Sequence, residues 1–389
     1  KKGKKKLRKE KMQLNNMITI KEAITQKEMK DYVMFSFELF KDNPYWIPPI
    51  ISDELETFNP KINPAFKTAN VHFYLAYKDN KIVGKLAAII NWNEVNLLGK
   101  KKVRFGWFDV IDDIEVTKAL LQKVEELGKK HHMDHMEGPI GFSNLDKVGV
   151  LTEGFNEMGN MVTWYSMPYY KEHFEKLGMV KEKEYIESYF SMNSINPEPF
   201  QRASKMVKER YGLKVKKFTK TKEIMPHVDE MFDLFNETYA RLQSFVAITD
   251  ETRDYFKKKY ISFINPEYIQ FVYDKNDKMI AFTIVMPSFE EALKKANGRL
   301  LPFGFLHLLW AKKHSREVVF YLIGVSPEYQ NKGVTAVIFD EFYKVFKDKK
   351  IERYVRTPEL SENNAMHNLW KNFDPKIHKK RCTYRKELS

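Results

Sequence analysis

The chain has 389 residues, 43% hydrophobic and 14% aromatic, too long for one ordinary compact domain and rich enough in core-forming side chains for two. Its single cysteine, Cys382, excludes an intramolecular disulfide framework, suits a reducing compartment and reads as a packing residue. The net charge is +14, and no stretch approaches the roughly eighteen apolar residues of a membrane span or forms a secretory signal, so the expected setting is the cytoplasm.

Residues 1–16 open with KKGKKKLRKEK, in which Lys1, Lys2, Lys4, Lys5, Lys6, Arg8, Lys9 and Lys11 are set against Glu10. Such a run reads as a disordered basic tail, attracted to polyanions at ~1 kcal/mol per cation near a lipid surface. Aromatic RNA-binding strand signatures and metal-finger cysteines are both missing, which disfavours nucleic acid and leaves the anionic inner face of a membrane as a peripheral location.

Residues 17–195 then set out a pattern that 213–389 repeats. MITIKEA (17–23) reads as an opening strand, KEMKDYVMFSFELF as an amphipathic helix, and FYLAYKDNKIVGKLAAII (73–90) as a hairpin about a polar turn. VRFGWFDV (103–110) is a strand leading to a helix, GPIGFS the next strand, and residues 169–190 a helix, turn and final strand. NSINPEPF (193–200) punctuates the chain, and 196–212 reads as a basic connector helix. LKVKKFT (213–219), KEIMPHVDEMFDLFNETYARL, IQFVYDKNDKMIAFTIVM (269–286), VVFYLIGV (318–325), YVRTPE and 366–388 take the same places in the second half. This order predicts an α/β (mixed α+β) protein of two tandem domains, each a twisted mixed sheet flanked by helices.

The turn VSPEYQNKGVTA (325–336) joins a strand directly to a helix whose apolar face is Val334, Val337, Ile338, Phe342, Val345 and Phe346. Lys344, Lys347, Lys349 and Lys350 crowd the helix C-terminus, so its N-terminus lies at Gly333. Free amide groups there, a glycine that admits close approach, and the side chains of Gln330 and Lys332 fit a phosphate or pyrophosphate; the bland alternative is an ordinary strand-to-helix connection. Walker and dinucleotide glycine signatures are absent, which argues against nucleotide hydrolysis and dinucleotide binding.

GVSPEYQNKGVTAVIFDEF resembles motif A of the GNAT superfamily of acyl-CoA transferases, which makes both domains GNAT-like. The resemblance implies acetyl-CoA or a longer acyl-CoA as donor. It also implies that the main chain of Ile323 and Val325 pairs with the pantetheine arm, while Gln330, Asn331, Lys332, Gly333, Val334 and Thr335 hold the pyrophosphate. Thr335 departs from the usual Gly or Ala. At the matching turn the first half reads VIDDIEV (110–116), where Asp112, Asp113 and Glu115 would repel phosphate, so that half is expected to be degenerate and to shape the acceptor site. NPYWIPPIISDELETFNPKINPAF (43–66) and GPIGFSNLDKVGVLTEGFNE (138–157) resemble segments of a bacterial family of tandem GNAT-like proteins that includes bacterial ceramide synthases, which join a fatty acyl-CoA to a sphingoid-base amine.

For transfer to an amine, Glu359 is the candidate base, with a surface carboxylate at a strand end as the alternative. Asn363 and Asn364 either cap a helix or contact the CoA arm. Where many GNAT enzymes carry a tyrosine acid this chain has Trp370, leaving Tyr384 or a water to serve. HHMDH (His131, His132, Asp134, His135) ends a lysine-rich helix without a distal ligand, and no metal is expected. LLPFGFLHLLWA (300–311) reads as a buried core helix with His307 inside it, the alternatives being an acyl-tunnel wall or a lipid-facing lid.

The reading is an acyl-CoA-dependent N-acyltransferase acting on a small-molecule or lipid amine, with oligomeric state open. Its rivals are a non-catalytic CoA-binding or scaffold protein and an aminoacyl-tRNA-dependent aminoacyltransferase.

Overall fold

The computed structural model describes residues 17–143, 145–240, 247–260 and 264–388; the tail expected over 1–16 lies outside them. The first half contains β1 (Thr19–Glu22), α1 (Gln26–Leu39), α2 (Ile51–Thr57), β2 (Ala69–Lys78), β3 (Lys81–Asn91), α3 (Trp92–Leu98), β4 (Lys102–Val110), α4 (Ile114–Lys130), β5 (His135–Gly138), β6 (Val150–Glu153), α5 (Tyr169–Lys176) and β7 (Val180–Ser191). Helix α6 (Glu198–Tyr211) follows. The second half contains β8 (Lys214–Lys217), α7 (Thr221–Ile224), α8 (Val228–Tyr239), α9 (Asp250–Tyr260), β9 (Ile269–Tyr273), β10 (Met279–Pro287), α10 (Glu290–Ala296) and α11 (Gly304–His314). It closes with β11 (Glu317–Val325), α12 (Val334–Asp348), β12 (Arg353–Arg356), β13 (Glu359–Leu360), α13 (Asn364–Trp370) and β14 (Lys376–Glu387).

Local chemistry sets these boundaries. Thr25 and Glu28 form a reciprocal capping box at the start of α1. Asn91 accepts hydrogen bonds from the N–H groups of Asn93 and Glu94 and so turns β3 into α3. The strand expected at GPIGFS ends where that segment begins, because Pro139 has no N–H to continue the ladder; β5 is the preceding His135–Gly138.

The repeat predicts two sheets, and the structure joins them into one. The order is β1-β2-β3-β4-β5-β14-β7-β12-β11-β10-β9-β8. Strand β14, from the second half, lies antiparallel between β5 and β7 of the first, and β7 pairs in turn with β12 of the second. Each half is therefore closed by the final strand of the other.

Charge fixes this seam. Glu187 on β7 accepts from Arg381 Nε at 2.7 Å and lies 3.3 Å from Lys379 Nζ, both on β14, with all three side chains at most 2% exposed. Arg381 also donates to the carbonyls of Val148, Gly149 and Trp164, and Lys379 to that of Met158. Buried charges of this kind are tolerated only when their hydrogen-bonding capacity is met, as it is here.

Two further findings differ from expectation. The apolar stretch 300–311 is not a core helix: α11 buries Gly304, Leu308 and Ala311 and leaves His307 and its large apolar neighbours in solvent. Packing on one side satisfies a helix of this composition, so the apolar count alone did not reveal its outer face. Tyr384 is carried by the strand exchange into the first half's core, against Phe174.

Candidate functional site

Strand β11 pairs in parallel with β12 from Glu317↔Arg353 to Phe320↔Arg356 and then continues alone on that side to Val325. On its other side β10 accompanies it to Ala281↔Val325, through a bulge at Ile284/Val285. The stretch 321–325 thus has a splayed edge, which side chains meet: Tyr239 Oη donates to the Ile323 carbonyl at 3.1 Å, and Gln330 Nε2 to the Val325 carbonyl at 3.1 Å.

The chain then turns. Ser326 N–H is held by the Ile280 carbonyl, Pro327–Tyr329 form a short 3-10 segment, and Asn331 and Gly333 adopt positive φ values of 62° and 80°. Gly333 is the N-cap of α12 and provides no side-chain cap. The first amides of any α-helix lack intrahelical acceptors, and the helix dipole adds partial positive charge, so this exposed end offers donors to an anion. A Cβ at residue 333 would come within 2.9 Å of Val207 Cγ2 on α6, and the left-handed backbone independently favours glycine. Val334 is buried in the core, Thr335 is half-buried, and Asn331 is exposed. Lys332 Nζ sits over the rings of Tyr329 (4.8 Å) and Tyr211 (5.5 Å), a cation–π arrangement that leaves it at the turn. Gln330, expected as a phosphate donor, is folded back on Val325.

The first half repeats the frame and fills it. β4 pairs with β5 from Lys102↔His135 to Arg104↔Glu137 and runs on past the end of β5 to Val110, with β3 still paired along its other side. The Val110 carbonyl accepts from Tyr169 Oη at 2.7 Å, and its N–H donates to Tyr170 Oη at 3.2 Å. Asp113 caps α4 by accepting from Glu115 N–H at 3.0 Å and also accepts from Lys78 Nζ at 2.9 Å. Burial pushes the Asp113 carboxyl up, but these partners outweigh it and hold it below its ordinary value. Asp112 Oδ1 lies 3.2 Å from His173 Nε2.

The expected catalytic residues do not converge. Arg356 engages both oxygens of Glu359, Nε at 3.1 Å from Oε1 and Nη2 on Oε2, and its guanidinium lies 5.0 Å from the Trp370 ring centre. Asn364 opens α13 and is exposed, its N–H donating to the Glu362 carbonyl. Tyr384 donates to Glu175 Oε1 at 3.0 Å within the first half, where burial and then Glu175 push its phenol up. Trp370 is a core residue beside Phe190, Phe320 and Phe339. In HHMDH, His131 packs edge-on to Trp92.

An acceptor site is expected in the cleft between the halves, and a cavity of about 350 Å³ lies there, lined in part by Asn63, Phe142, Asp146, Ile248, Lys259 and Tyr260, none of which the sequence singled out as site residues. It adjoins β11 through Leu145, whose carbonyl accepts from Tyr321 Oη at 3.4 Å. Asp146 accepts from Ser143 N–H at 2.7 Å and from its hydroxyl at 3.1 Å, while burial pushes its carboxyl above the usual range. The signal available was GPIGFSNLDKVGV, whose Gly, Pro and Asn spacing marks a shaped loop.

This architecture is the tandem GNAT fold. A tandem GNAT protein from the clavulanic acid biosynthesis pathway superposes with a TM-score of 0.57 at 11% identity, covering 96% of this chain and 99% of that one. A GCN5-related N-acetyltransferase from Sphaerobacter thermophilus gives 0.51 at 9% identity, covering 95% and 96%. Among curated proteins, protein YghO of Escherichia coli (strain K12) is 25% identical over 388 residues, 97% of this chain and 98% of its own length. Bacterial ceramide synthase of Caulobacter vibrioides is 23% identical over 371 residues, 94% and 96% of the two chains. No model of a known protein family matches the chain.

Proposed function

We propose that the protein is an acyl-CoA-dependent N-acyltransferase that binds the donor in its second half and the acceptor amine in the cavity between the halves. The observation that carries this reading is the combination of a splayed β11 edge with the uncapped, glycine-led start of α12. An extended pantetheine arm can replace Gln330 at the Val325 carbonyl, and a pyrophosphate can take the first amides of α12. The neutral amine attacks the thioester carbonyl, the C–S bond breaks, the thiolate leaves as CoA, and the amine's proton is passed on; an N–H near Val325 supports the oxyanion.

Asp146, raised by burial and lining the cavity, is a better placed proton acceptor than Glu359, whose carboxylate is committed to Arg356. The cavity's mixture of apolar and polar lining residues suits a long-chain amine, and the ceramide synthase relative supports a sphingoid-like acceptor.

The test is thermal stability with free CoA and palmitoyl-CoA, compared with Thr335→Glu. A ligand at a hundred times its Kd stabilises the folded chain by about 2.7 kcal/mol, and a carboxylate in the first turn should abolish that gain while sparing the ligand-free melting temperature. Equal stabilisation of both proteins would remove the site. A second reading, a non-catalytic CoA-binding protein, is favoured by the dispersal of Glu359 and Tyr384; ligand stabilisation without thiol release from palmitoyl-CoA and a long-chain amine would establish it. The buried Cys382 should give little background in that thiol assay.

A further inference from the structure

The links between corresponding hairpins and central strands differ in the two halves. In the first, the single short helix α3 joins β3 to β4; in the second, the helical pair α10–α11 joins β10 to β11. The inner side of the pair packs on Ile47 and Ile50 through Leu293, Ala296, Leu308 and Ala311. Its outer side is apolar and bare: Leu301 is 78% exposed, Phe303 68% and Trp310 63%, with Phe305, Leu306 and Leu309 beside them. Six large apolar side chains in one short segment far exceed the scattered exposures expected of a soluble surface.

At 100° per residue, Phe305, Leu306, Leu309 and Trp310 share one face of α11, opposite Gly304, Leu308 and Ala311. Lys313 ends that apolar face, while Lys312 and His314 flank it on either side. Exposed Lys295 and Arg299 lie on the adjoining part of the hairpin. An apolar face with tryptophan, bordered by cations, is the pattern of a helix lying in a lipid interface, where the cations reach the headgroups.

We propose that α11 and the 301–303 loop form a docking surface for an anionic lipid bilayer, seating the apolar face among the acyl chains and the basic rim against the headgroups. Charge selects this occupant. A second copy joined face to face would bring like-charged rims together, and the chain's own start, residues 1–11, is itself cationic. The inference goes beyond the acyl-transfer reading and does not depend on it.

Flotation of the full chain with phosphatidylcholine vesicles, and with vesicles that also contain phosphatidylglycerol, tests the surface. Wild type should float with the anionic vesicles, less in about 1 M than in about 0.1 M salt. The double variant Leu306→Ser, Trp310→Ser should lose about tenfold or more in partitioning at an unchanged melting temperature, since both side chains are solvent-facing. Equal flotation of the variant would overturn the proposal, because charge alone would then account for binding. So would a wild-type dimer that the double variant converts to monomer while neither protein floats, which would make the face a contact between copies.

Discussion

The ends of β4 and β11 offer the same frame: a parallel pairing that stops short, a strand that runs on without its parallel partner, and a helix starting a few residues later. Where they differ is in what occupies it. At Val110 two tyrosine hydroxyls take both main-chain groups and Asp113 caps the helix, whereas at Val325 an exposed glutamine takes the carbonyl and glycine leads the helix. The frame alone is therefore not a site. The first half commits its main-chain groups and its helix start to internal hydrogen bonds, while the second half leaves its helix start without a side-chain cap.

The contrast presumes that the halves are completed by one another, and the largest effect should come from the seam. Arg381→Met leaves Glu187 buried with Lys379 as its remaining ion-pair partner, and should cost about 3–5 kcal/mol in denaturant unfolding. A loss below about 1 kcal/mol would mean that the exchanged strands are held by other forces.

Acid should act next and on both halves. Burial pushes Glu187 up, but Arg381 and Lys379 outweigh it and hold it at about 2. Glu341 on α12 is likewise pushed up by burial and brought to about 2 by Lys208 and Lys217. Depressed carboxyls contribute stability that is present above their ordinary value of 4.5 and lost as pH falls toward about 2, so melting temperature should drop across that window. Glu187→Gln should flatten the drop.

Tyr170→Phe sharpens the contrast at the filled turn. It removes the acceptor for Val110 N–H and a donor to Asp109, and should destabilise by about 1–3 kcal/mol while leaving CoA affinity unchanged. Weakened CoA binding would show that the first half contributes directly. Gln330→Ala should have the smallest effect: it frees the Val325 carbonyl through an exposed bond, and CoA affinity by calorimetry should move by less than about threefold.

Much of the frame was legible in the sequence because hairpins and strand–helix turns are local. The strand 318–325 and the helix after Gly333 follow from alternation, periodicity and a glycine at a positive-φ position. The strand exchange was not legible. β7 and β14 have similar lengths and alternation, and their neighbours are chosen by contacts such as Glu187–Arg381 between residues far apart in the chain. The place of Tyr384 in the first half's core was hidden for that reason. Tyr169 and Tyr170 were equally hidden as the occupants of the first turn, since nothing near Val110 in the sequence points to them. The apolar run at 300–311 was visible, but composition does not distinguish an inner from an outer face.

The interleaved closing strands carry a consequence for biogenesis. The strand that completes the first half follows the other strands of the second half in chain order, so a nascent chain must hold an unfinished β5 edge open through synthesis of most of the second half. Severing the connector after residue 195 should accordingly yield two fragments that are insoluble apart and recover only when produced together.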